Sequence, residues 1–389
     1  MLQFDRFDAS ACGFPPPAVP LLPILRLGDL RLGSGTSETA AALKGSVSFS
    51  RGRYALHEAF TLAGLGADST LMAPSYHCRT MIDPALVLGA NVEFYPLDTQ
   101  LAPSVGVIKA GIDSAAYPVK ALILPHYFGF SQASDLLDDL TAMCAEREIV
   151  LVEDCSHSWQ LAMRASSRIA SPWHMAVASP YKFFAAPDGG TLWHRAGSSA
   201  ATGFAPGVLT ELKSLINVVR HRGRKLGEAG TARSSGPMGI EHLETTPVVS
   251  AHYAPSEETD CGLALSRWIV RHTDLKLAAS RRSENYRMLL EASRNIPHAR
   301  PLFDSVPAES APYMFPLYIE RGAADFHELK SRGMPIWRWD DMARSSCAVA
   351  TDYRLRLLHL PCHQDLSRAQ LQWMCVQLAE TMALIAETK

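Results

Sequence analysis

Short apolar runs alternate with amphipathic stretches along most of this chain, from about residue 46 onward. Apolar runs bounded by turn-forming residues indicate buried strands, and they lie at 47–50, 69–73, 91–95, 119–124 and 149–153. Stretches whose apolar residues recur at intervals of three and four indicate helices, at 54–63, 79–88 and 134–147. Continuously apolar strands alternating with helices predict an α/β fold: a three-layer large domain with a mostly parallel sheet.

The remaining segments define the expected domain organisation. Residues 1–45 are Pro-rich and then polar, which predicts an irregular N-terminal arm. A large domain is expected over 46–262, within which 226–260 lacks periodicity and is interpreted as a long loop, either functional or engaged with a partner. Residues 263–389 predict a smaller α+β C-terminal domain that begins with one long helix at 263–290.

Composition narrows the class of protein. The 389 residues are 47% hydrophobic and 20% charged, which is typical of a globular protein of about two domains. A net charge of −2 gives no reason to expect nucleic acid or an anionic membrane as partner. One basic cluster, residues 220–225, indicates a solvated surface or a contact for substrate phosphates. The first residues lack signal-peptide features, so a cytoplasmic location is expected.

The cysteines and histidines do not indicate a metal site. The eight cysteines are scattered and form no CxxC pair. Free thiols in a reducing compartment are therefore the interpretation. His359 and His363 flank Pro361-Cys362 but lack the partner spacing of a metal site.

An acidic residue and a lysine, 28 positions apart, carry the candidate chemistry. Asp154 ends the apolar run 149–153, and the carboxyl end of a core strand is where open α/β sheets bind ligands. Lys182 lies among aromatic residues in 179–184, and a desolvated lysine is a nucleophilic amine. Taken singly, Asp154 suits a helix N-cap and Lys182 a surface position. Together they indicate a pyridoxal phosphate site, with Lys182 forming the Schiff base and Asp154 facing the ring nitrogen.

A phosphate cradle for that cofactor is predicted where the strand at 47–50 turns into the next helix. Backbone N–H groups at a helix start point toward an anion, and Gly52 lets the anion come close. Arg53 follows in the same turn, and the hydroxyl of Ser179 could join it. Any strand–helix turn can contain glycine, so the turn alone is a weak signal.

Other residues could contact the cofactor ring or the substrate. His157, three positions after Asp154, could reach the cofactor's 3-oxygen, although a single histidine is often structural. Tyr76 or His77 could stack on the ring, with plain core packing as the alternative. Two further residues are candidates for substrate contact, His126 and Arg338. For Arg338, packing is again the alternative.

Several of these segments together resemble one family. Residues 152–157 (Val-Glu-Asp-Cys-Ser-His), 179–182 (Ser-Pro-Tyr-Lys) and 187–190 (Pro-Asp-Gly-Gly) are the most specific, supported by 52–56, 73–78 and 281–286. From about residue 46 to 380 the chain resembles the fold-type-I pyridoxal phosphate enzymes of the DegT/DnrJ/StrS family. Most of these are sugar aminotransferases that act on nucleotide-linked keto sugars.

The resemblance implies roles for the matching positions. Lys182 is expected to bind the cofactor and move protons, Asp154 to pair with the ring nitrogen, and His157 to lie near the cofactor oxygen. A homodimer with active sites at its interface is also implied. The expected reaction is transfer of an amino group from a donor such as Glu or Gln to a keto acceptor, with a nucleotide-linked keto sugar and a natural-product intermediate as the candidate acceptors. Decarboxylation, elimination or carbon–carbon bond formation on the same scaffold is the alternative, and a non-enzymatic relative is a third class.

The chain also departs from the family's pattern. Gly52-Arg53-Tyr54 stands where Gly-Thr is usual, and position 157 is His instead of Gln. Cys78 takes the place of the usual stacking aromatic and becomes a further candidate for ring contact. No Asn-x-Arg segment precedes the expected long helix. A divergent branch is therefore expected.

Overall fold

The structure is a computed structural model, and it describes residues 2–9, 12–26, 28, 30, 37–195, 204–221, 240–245, 249–307 and 310–387. Strands and helices are numbered in chain order. The strands are β1 Gln3–Asp8, β2 Ser46–Phe49, β3 Thr70–Pro74, β4 Asn91–Tyr95, β5 Val119–Pro125, β6 Val150–Asp154, β7 His174–Ala178, β8 Gly190–Trp193, β9 Ile240–Thr245, β10 Ala299–Pro301, β11 Met314–Ile319, β12 Met342–Ala343 and β13 Leu357–Pro361. The helices are α1 Ser37–Ala42, α2 Gly52–Leu62, α3 Arg79–Val87, α4 Val105–Ser114, α5 Ser134–Glu146, α6 Trp159–Arg168, α7 Pro180–Phe183, α8 Val208–His221, α9 Ala264–His272, α10 Leu275–Ser293, α11 Gly322–Ser331, α12 Ala348–Arg356 and α13 Arg368–Glu387.

The predicted mostly parallel sheet is confirmed. Seven strands form one sheet in the order β2-β8-β7-β6-β5-β3-β4. The neighbours from β7 through β6, β5 and β3 to β4 are parallel, whereas β8 runs antiparallel to both β7 and β2. Because parallel strands end at one edge of a sheet, the residues that follow β3, β5, β6 and β7 lie at the same edge. That edge is where α/β sheets bind ligands.

The central strand β6 packs both of its faces into apolar core. Val150 and Val152 belong to the cluster that also holds the buried face of α2, and Leu151 belongs to the cluster on the opposite face. Successive side chains of a strand point to opposite faces. Asp154 therefore continues the face of the two valines, whereas Glu153 continues the face of Leu151. The side chains of Glu153 and Asp154 therefore lie on opposite faces of the sheet.

Two smaller antiparallel sheets complete the chain. β10, β11 and β13 form one of them, and the long helices α10 and α13 pack against each other beside it. β12, β1 and β9 form the other, with β1 in the centre. The sheet of β10, β11 and β13 lies in the segment expected to form the smaller α+β domain. The boundary at residue 262 stays a prediction.

The structure corrects three predictions about the irregular segments. The arm 1–45 contains β1 and α1, and the segment 226–260 contains β9, which pairs with β1 from Gln3 opposite Thr245 to Asp8 opposite Ile240. Residues 226–239 and 246–248 lie outside the described residues. The expected long helix 263–290 is two helices, because Asp274 caps α10 by accepting a hydrogen bond from the Leu277 amide at 3.1 Å.

Two further expectations concern the whole chain. All eight cysteines are free, as predicted. Within the described residues, no helix combines the length and the apolar character needed to cross a membrane.

Candidate active site

A cleft lies at the carboxyl-terminal edge of the large sheet, where β6 and β7 end. Its empty volume, including the open mouth, is about 340 Å³. The side chains that line it come from four places in the sequence: the start of α2, the start of α3, the end of β6 and the turn into α7. Six of the predicted site residues are brought together here: Gly52, Arg53, Cys78, Asp154, Ser179 and Lys182.

The start of α2 forms one wall of the cleft. Its N-cap residue, Arg51, makes no side-chain capping hydrogen bond, and no acidic residue occupies the first turn. The partial positive charge of the helix start is therefore not offset by a residue of the helix itself, which favours an anion. A Cβ atom on Gly52 would lie 2.1 Å from the Ser179 hydroxyl oxygen and 3.7 Å from that of Ser156. Only glycine leaves room for the Ser179 hydroxyl beside the helix start.

Ser156 and Ser179 are tied to each other and to the acidic strand end. The Ser179 hydroxyl donates to the Ser156 hydroxyl oxygen at 3.0 Å. The Ser156 amide in turn donates to a carboxylate oxygen of Asp154 at 2.9 Å. Asp154 is 7% exposed, so its carboxylate is nearly buried at the floor of the cleft. Ser156 and Ser179 thus lie beside the start of α2, and the Ser156 amide holds the Asp154 carboxylate in place.

Glu153 belongs to a separate network on the other face of the sheet. Its carboxylate accepts hydrogen bonds from His126 at 2.8 Å and His174 at 2.7 Å, and from Arg168 at 2.9 Å. Burial opposes ionisation of Glu153, but these hydrogen bonds and the Arg168 charge bring its pKa well below the usual value. The prediction that His126 lines the ligand pocket is therefore corrected, because its ring is committed to Glu153.

Lys182 projects toward an aromatic wall contributed by the carboxyl-terminal part of the chain. Its Nζ lies 5.6 Å from the centroid of the Tyr313 ring, over the ring face. The His157 ring stacks on Tyr313 with centroids 4.6 Å apart. Burial lowers the pKa of His157 well below the usual value, and the positive charge of Lys182 lowers it further. The imidazole of His157 is therefore neutral at physiological pH.

The hydrogen bonds of His157 define which ring nitrogen carries its proton. The Phe128 amide donates to Nδ1 of His157 at 3.0 Å, so the proton of the neutral ring is on Nε2. Phe128 itself has a positive φ of 56°, an uncommon conformation for a residue with a side chain. The turn after β5 thus holds His157 in one tautomer, with an N–H donor at Nε2.

Two ring-contact candidates lie away from the cleft, which corrects the prediction for both. The Tyr76 hydroxyl is hydrogen-bonded to Nε2 of His359 at 2.9 Å, and the side chain is fully buried. The His77 ring stacks on Phe94 with centroids 4.9 Å apart and an interplanar angle of 6°. Of the segment 74–78, only Cys78 lines the cleft.

Arg338 is packed inside the protein instead of facing the cleft. Its guanidinium lies 4.0 Å from the ring centroid of Phe326, and it binds Asp340 at 3.3 Å. The packing alternative is thus the one the structure supports for this residue. The basic cluster at 220–225 lies outside the described residues from position 222 onward.

Sequence reasoning missed several residues of the site. Ser156 lies between Asp154 and His157, and its small hydroxyl side chain was the available signal. Tyr313 comes from the strand region before β11, about 130 positions beyond Lys182. No local pattern connects two positions so distant in sequence, because only the tertiary fold brings them together.

Comparison with known proteins gives a consistent picture. Residues 39–202 match the model of the DegT/DnrJ/EryC1/StrS aminotransferase family. Among solved structures, an aminotransferase, TlmJ from Streptoalloteichus hindustanus, is 20% identical with a TM-score of 0.62, covering 92% of this chain and 93% of that one. DesV from S. venezuelae, solved with a ketimine intermediate, is 17% identical with a TM-score of 0.59, covering 89% and 87%. 3-Amino-5-hydroxybenzoic acid synthase is 15% identical with a TM-score of 0.59, covering 95% and 100%.

Proposed function

We propose that the chain, of which residues 39–202 match the model of the DegT/DnrJ/EryC1/StrS aminotransferase family, is a member of that family that binds pyridoxal phosphate at the cleft and transfers an amino group from an amino acid to a keto acceptor. One observation carries the proposal. The cleft combines a lysine amine, a buried carboxylate and an anion-binding helix start, which are the groups this cofactor needs from a protein. Glutamate or glutamine is the proposed donor. A nucleotide-linked keto sugar or a natural-product intermediate is the proposed acceptor.

Each group has a distinct task in this proposal. Lys182 would hold the cofactor through its amine and would carry a proton at its Nζ atom during the reaction. Asp154 would pair with the ring nitrogen and favour its protonated state. When bound, pyridoxal phosphate supplies an electron sink for the carbanion chemistry of amino acids. The Nε2–H of His157 is proposed as a donor to the cofactor's 3-oxygen.

The phosphate end is held by the helix start and the neighbouring hydroxyls. The start of α2, Arg53, Ser156 and Ser179 all line the cleft, and their N–H groups, guanidinium and hydroxyls would hold the phosphate. Cys78 lines the same cleft, so its thiol would lie beside the cofactor ring. A sulfur atom beside an aromatic ring makes a favourable contact.

The half-reaction with amino acids tests the proposal. Purified protein with added pyridoxal phosphate is expected to turn yellow and to lose that colour on borohydride reduction, with the label on Lys182. Addition of glutamate or glutamine is expected to convert the cofactor to its amine form with one equivalent of 2-oxo acid. Absorbance spectra and mass spectrometry measure both outcomes over a panel of amino acids.

Other results of the same experiment would contradict the proposal. A protein that stays colourless with added cofactor would exclude cofactor binding. Release of carbon dioxide without formation of the amine form would indicate decarboxylation, the alternative reaction on the same scaffold. Loss of a leaving group from the donor would indicate elimination.

Gly52→Ala is expected to weaken cofactor binding without unfolding the protein. The new Cβ displaces the Ser179 hydroxyl, which can rotate away, so the change falls mainly on the phosphate contacts. Affinity should fall roughly 10- to 100-fold, because a hydrogen bond to a charged group contributes about 1.5–3 kcal/mol. Fluorescence or absorbance titration with pyridoxal phosphate measures the dissociation constant.

Gly106→Ala is the matched control for that variant. Gly106 also lies in a helix, α4, but a Cβ there meets only the Ser104 hydroxyl, at 3.9 Å. Its cofactor affinity should equal that of the unmodified protein. Equal affinity in both variants would show that the start of α2 does not hold the phosphate.

We also propose that the chain forms a homodimer and acts in the cytoplasm. The outer face of α8 exposes apolar side chains, with Val208 85%, Leu209 73% and Leu212 52% exposed, and a second copy would bury them. Eight free cysteines are typical of a reducing compartment. Light scattering of the purified protein gives the oligomer mass, and a monomer at micromolar concentration would contradict the dimer.

A further inference from the structure

Arg282 is a fully buried cation that lies directly behind the lysine segment. Its side chain is 0% exposed. One terminal nitrogen donates to the backbone carbonyls of Lys182 at 3.3 Å and Phe183 at 2.9 Å. The other terminal nitrogen donates to the Pro312 carbonyl at 2.9 Å, and Nε donates to the Gln364 amide oxygen at 2.7 Å. Every one of these bonds goes to an uncharged oxygen.

This set of partners is unusual for a buried arginine. A charged side chain is rarely buried unless an acid pairs with it. Here carbonyl and amide oxygens take that place, and the guanidinium also lies 4.4 Å from the ring centroid of Phe183. Burial lowers the pKa of Arg282 to about 10, which still leaves it cationic at neutral pH. The fold thus buries the positive charge of Arg282, although removing a charge from water is energetically unfavourable.

The partners of Arg282 join two parts of the chain. Lys182 and Phe183 belong to α7 at the edge of the large sheet, whereas Pro312 precedes β11. Pro312 is also the neighbour of Tyr313, whose ring lies beneath the Lys182 ammonium. The planar guanidinium of Arg282 therefore holds both the backbone of α7 at Lys182 and the backbone directly before Tyr313.

A second residue supports the same contact. The Gln364 amide nitrogen donates to the Phe183 carbonyl at 3.1 Å, while its amide oxygen accepts from Arg282. The Phe183 carbonyl thus receives two donors. Because α7 is only four residues long, it makes few internal hydrogen bonds, and these external donors define where it lies.

We propose that Arg282 is a positioning residue for Lys182: its planar guanidinium, with Gln364, holds α7 against Pro312 so that the lysine amine has one fixed place over Tyr313. The inference rests on the proposed function, since the lysine needs a fixed place only if it reacts. Arg282 does not line the cleft, so it acts through Lys182 and not on the substrate.

The test compares buried-residue variants of the full-length holoenzyme. Arg282→Gln should slow the half-reaction with glutamate on the order of 100-fold, because small misplacements of reacting groups have effects of that size. KM for the donor should stay near the original value. The midpoint pH of the visible cofactor band should also move, because that midpoint reports the environment of the lysine nitrogen. For Arg282→Lys, the rate and the midpoint pH should lie between those of the unmodified protein and those of Arg282→Gln.

Gln364→Met and Arg354→Gln make the test independent of folding defects. Gln364→Met removes one donor to Phe183 and should shift the same midpoint in the same direction by a smaller amount. Arg354 is a buried arginine that also binds a backbone carbonyl, that of Asp340 at 2.8 Å, but it lies away from the lysine segment. Arg354→Gln should lower the thermal midpoint and leave the cofactor band unchanged.

The outcomes separate this inference from the proposed function. If Arg282→Gln does not fold, Gln364→Met decides the result. An unchanged rate and an unchanged midpoint pH in the folded variants, with a normal yellow parent protein, would overturn the positioning role alone. A parent protein without a borohydride-reducible band would overturn the proposed function, and this inference with it.

Discussion

Lys182→Ala is expected to abolish the borohydride-reducible bond to pyridoxal phosphate and to slow the half-reaction by at least about 10³-fold, since one positioned general base contributes roughly 10²–10⁴-fold. The cofactor should still bind, because the start of α2 and the serine hydroxyls are untouched. Absorbance spectra before and after borohydride, with peptide mass spectrometry, measure the loss of the covalent bond. Stopped-flow absorbance measures the rate.

The same variant has a second expected effect within the aromatic wall. The pKa of His157 is well below the usual value, and that of His359 is about 3; burial is the main cause in both cases. The positive charge of Lys182 lowers both pKa values further. Removing that charge should raise both pKa values. Nuclear magnetic resonance of the imidazole rings follows the change.

Lys120→Ala is the matched control for Lys182→Ala. Lys120 lies in β5 of the same sheet, but its side chain is exposed to solvent. The control should keep the yellow colour, the labelled Lys182 peptide and the original rate. A Lys182→Ala protein that still forms a reducible bond would show that another amine holds the cofactor.

Sequence reasoning found the site residues whose signals are local. Asp154 is recognised because it ends an apolar run, and Gly52 because it opens a helical pattern, and both line the cleft. Tyr76 and His77 show the opposite case. They share a strand-end segment with Cys78, yet only the thiol faces the cleft, because neighbouring residues after a strand point in different directions. The direction of a side chain in a turn depends on its partners, which the sequence does not show.

The fold follows the same division between local and distant causes. Of the parallel strands, β3, β4, β5 and β6 were predicted from their largely apolar runs, whereas β7 at His174–Ala178 was not. β1 and β9 were not predicted, because their partners are distant in sequence: they pair with each other across more than 230 positions, and β1 also pairs with β12. The sequence drew attention to Arg282 only as part of the segment 281–286. The oxygen atoms that it binds belong to Phe183, Pro312 and Gln364, which lie in three separate regions of the chain.

Acidification from pH 7 to pH 5 is expected to lower the free energy of unfolding by several kcal/mol. Four buried histidines have pKa values far below the usual value, chiefly because burial disfavours the charged ring. These are His77, with a pKa of about 4, His359 and His363, each with a pKa of about 3, and His157, with a pKa well below the usual value.

Hydrogen bonds explain why these rings resist protonation. The Ala343 amide donates to Nε2 of His77 at 3.2 Å, and the Asp365 amide donates to Nδ1 of His363 at 3.3 Å. A second proton on either ring would face the hydrogen of that amide. Protonation therefore requires the loss of a hydrogen bond in addition to the burial of a charge.

The sign of the effect follows from the number of protons bound in each state. The unfolded chain protonates these histidines near pH 6.5, whereas the folded protein leaves them neutral down to about pH 3–4. Between those limits the unfolded state binds more protons, so stability falls as the pH falls. Each histidine contributes about 2 kcal/mol of destabilisation at pH 5. Three aspartates act in the opposite direction, because burial raises their pKa values: Asp188 and Asp325, which are buried, and Asp340, which is partly buried.

Comparison of a His77 variant with the parent protein separates the effect of this histidine on the free energy of unfolding from the effect of those aspartates. His77→Gln removes one titrating group, and the glutamine amide oxygen can accept the hydrogen bond from the Ala343 amide. Urea unfolding at pH 7, 6 and 5 should show a slope of stability against pH that is smaller in the variant by about 1 kcal/mol per pH unit on average, rising toward about 1.4 kcal/mol per pH unit near pH 5, the value for one full proton. Parallel slopes would mean that His77 is protonated in the folded protein at these pH values. The slope difference must come from the ring itself, because the aspartates are the same in both proteins.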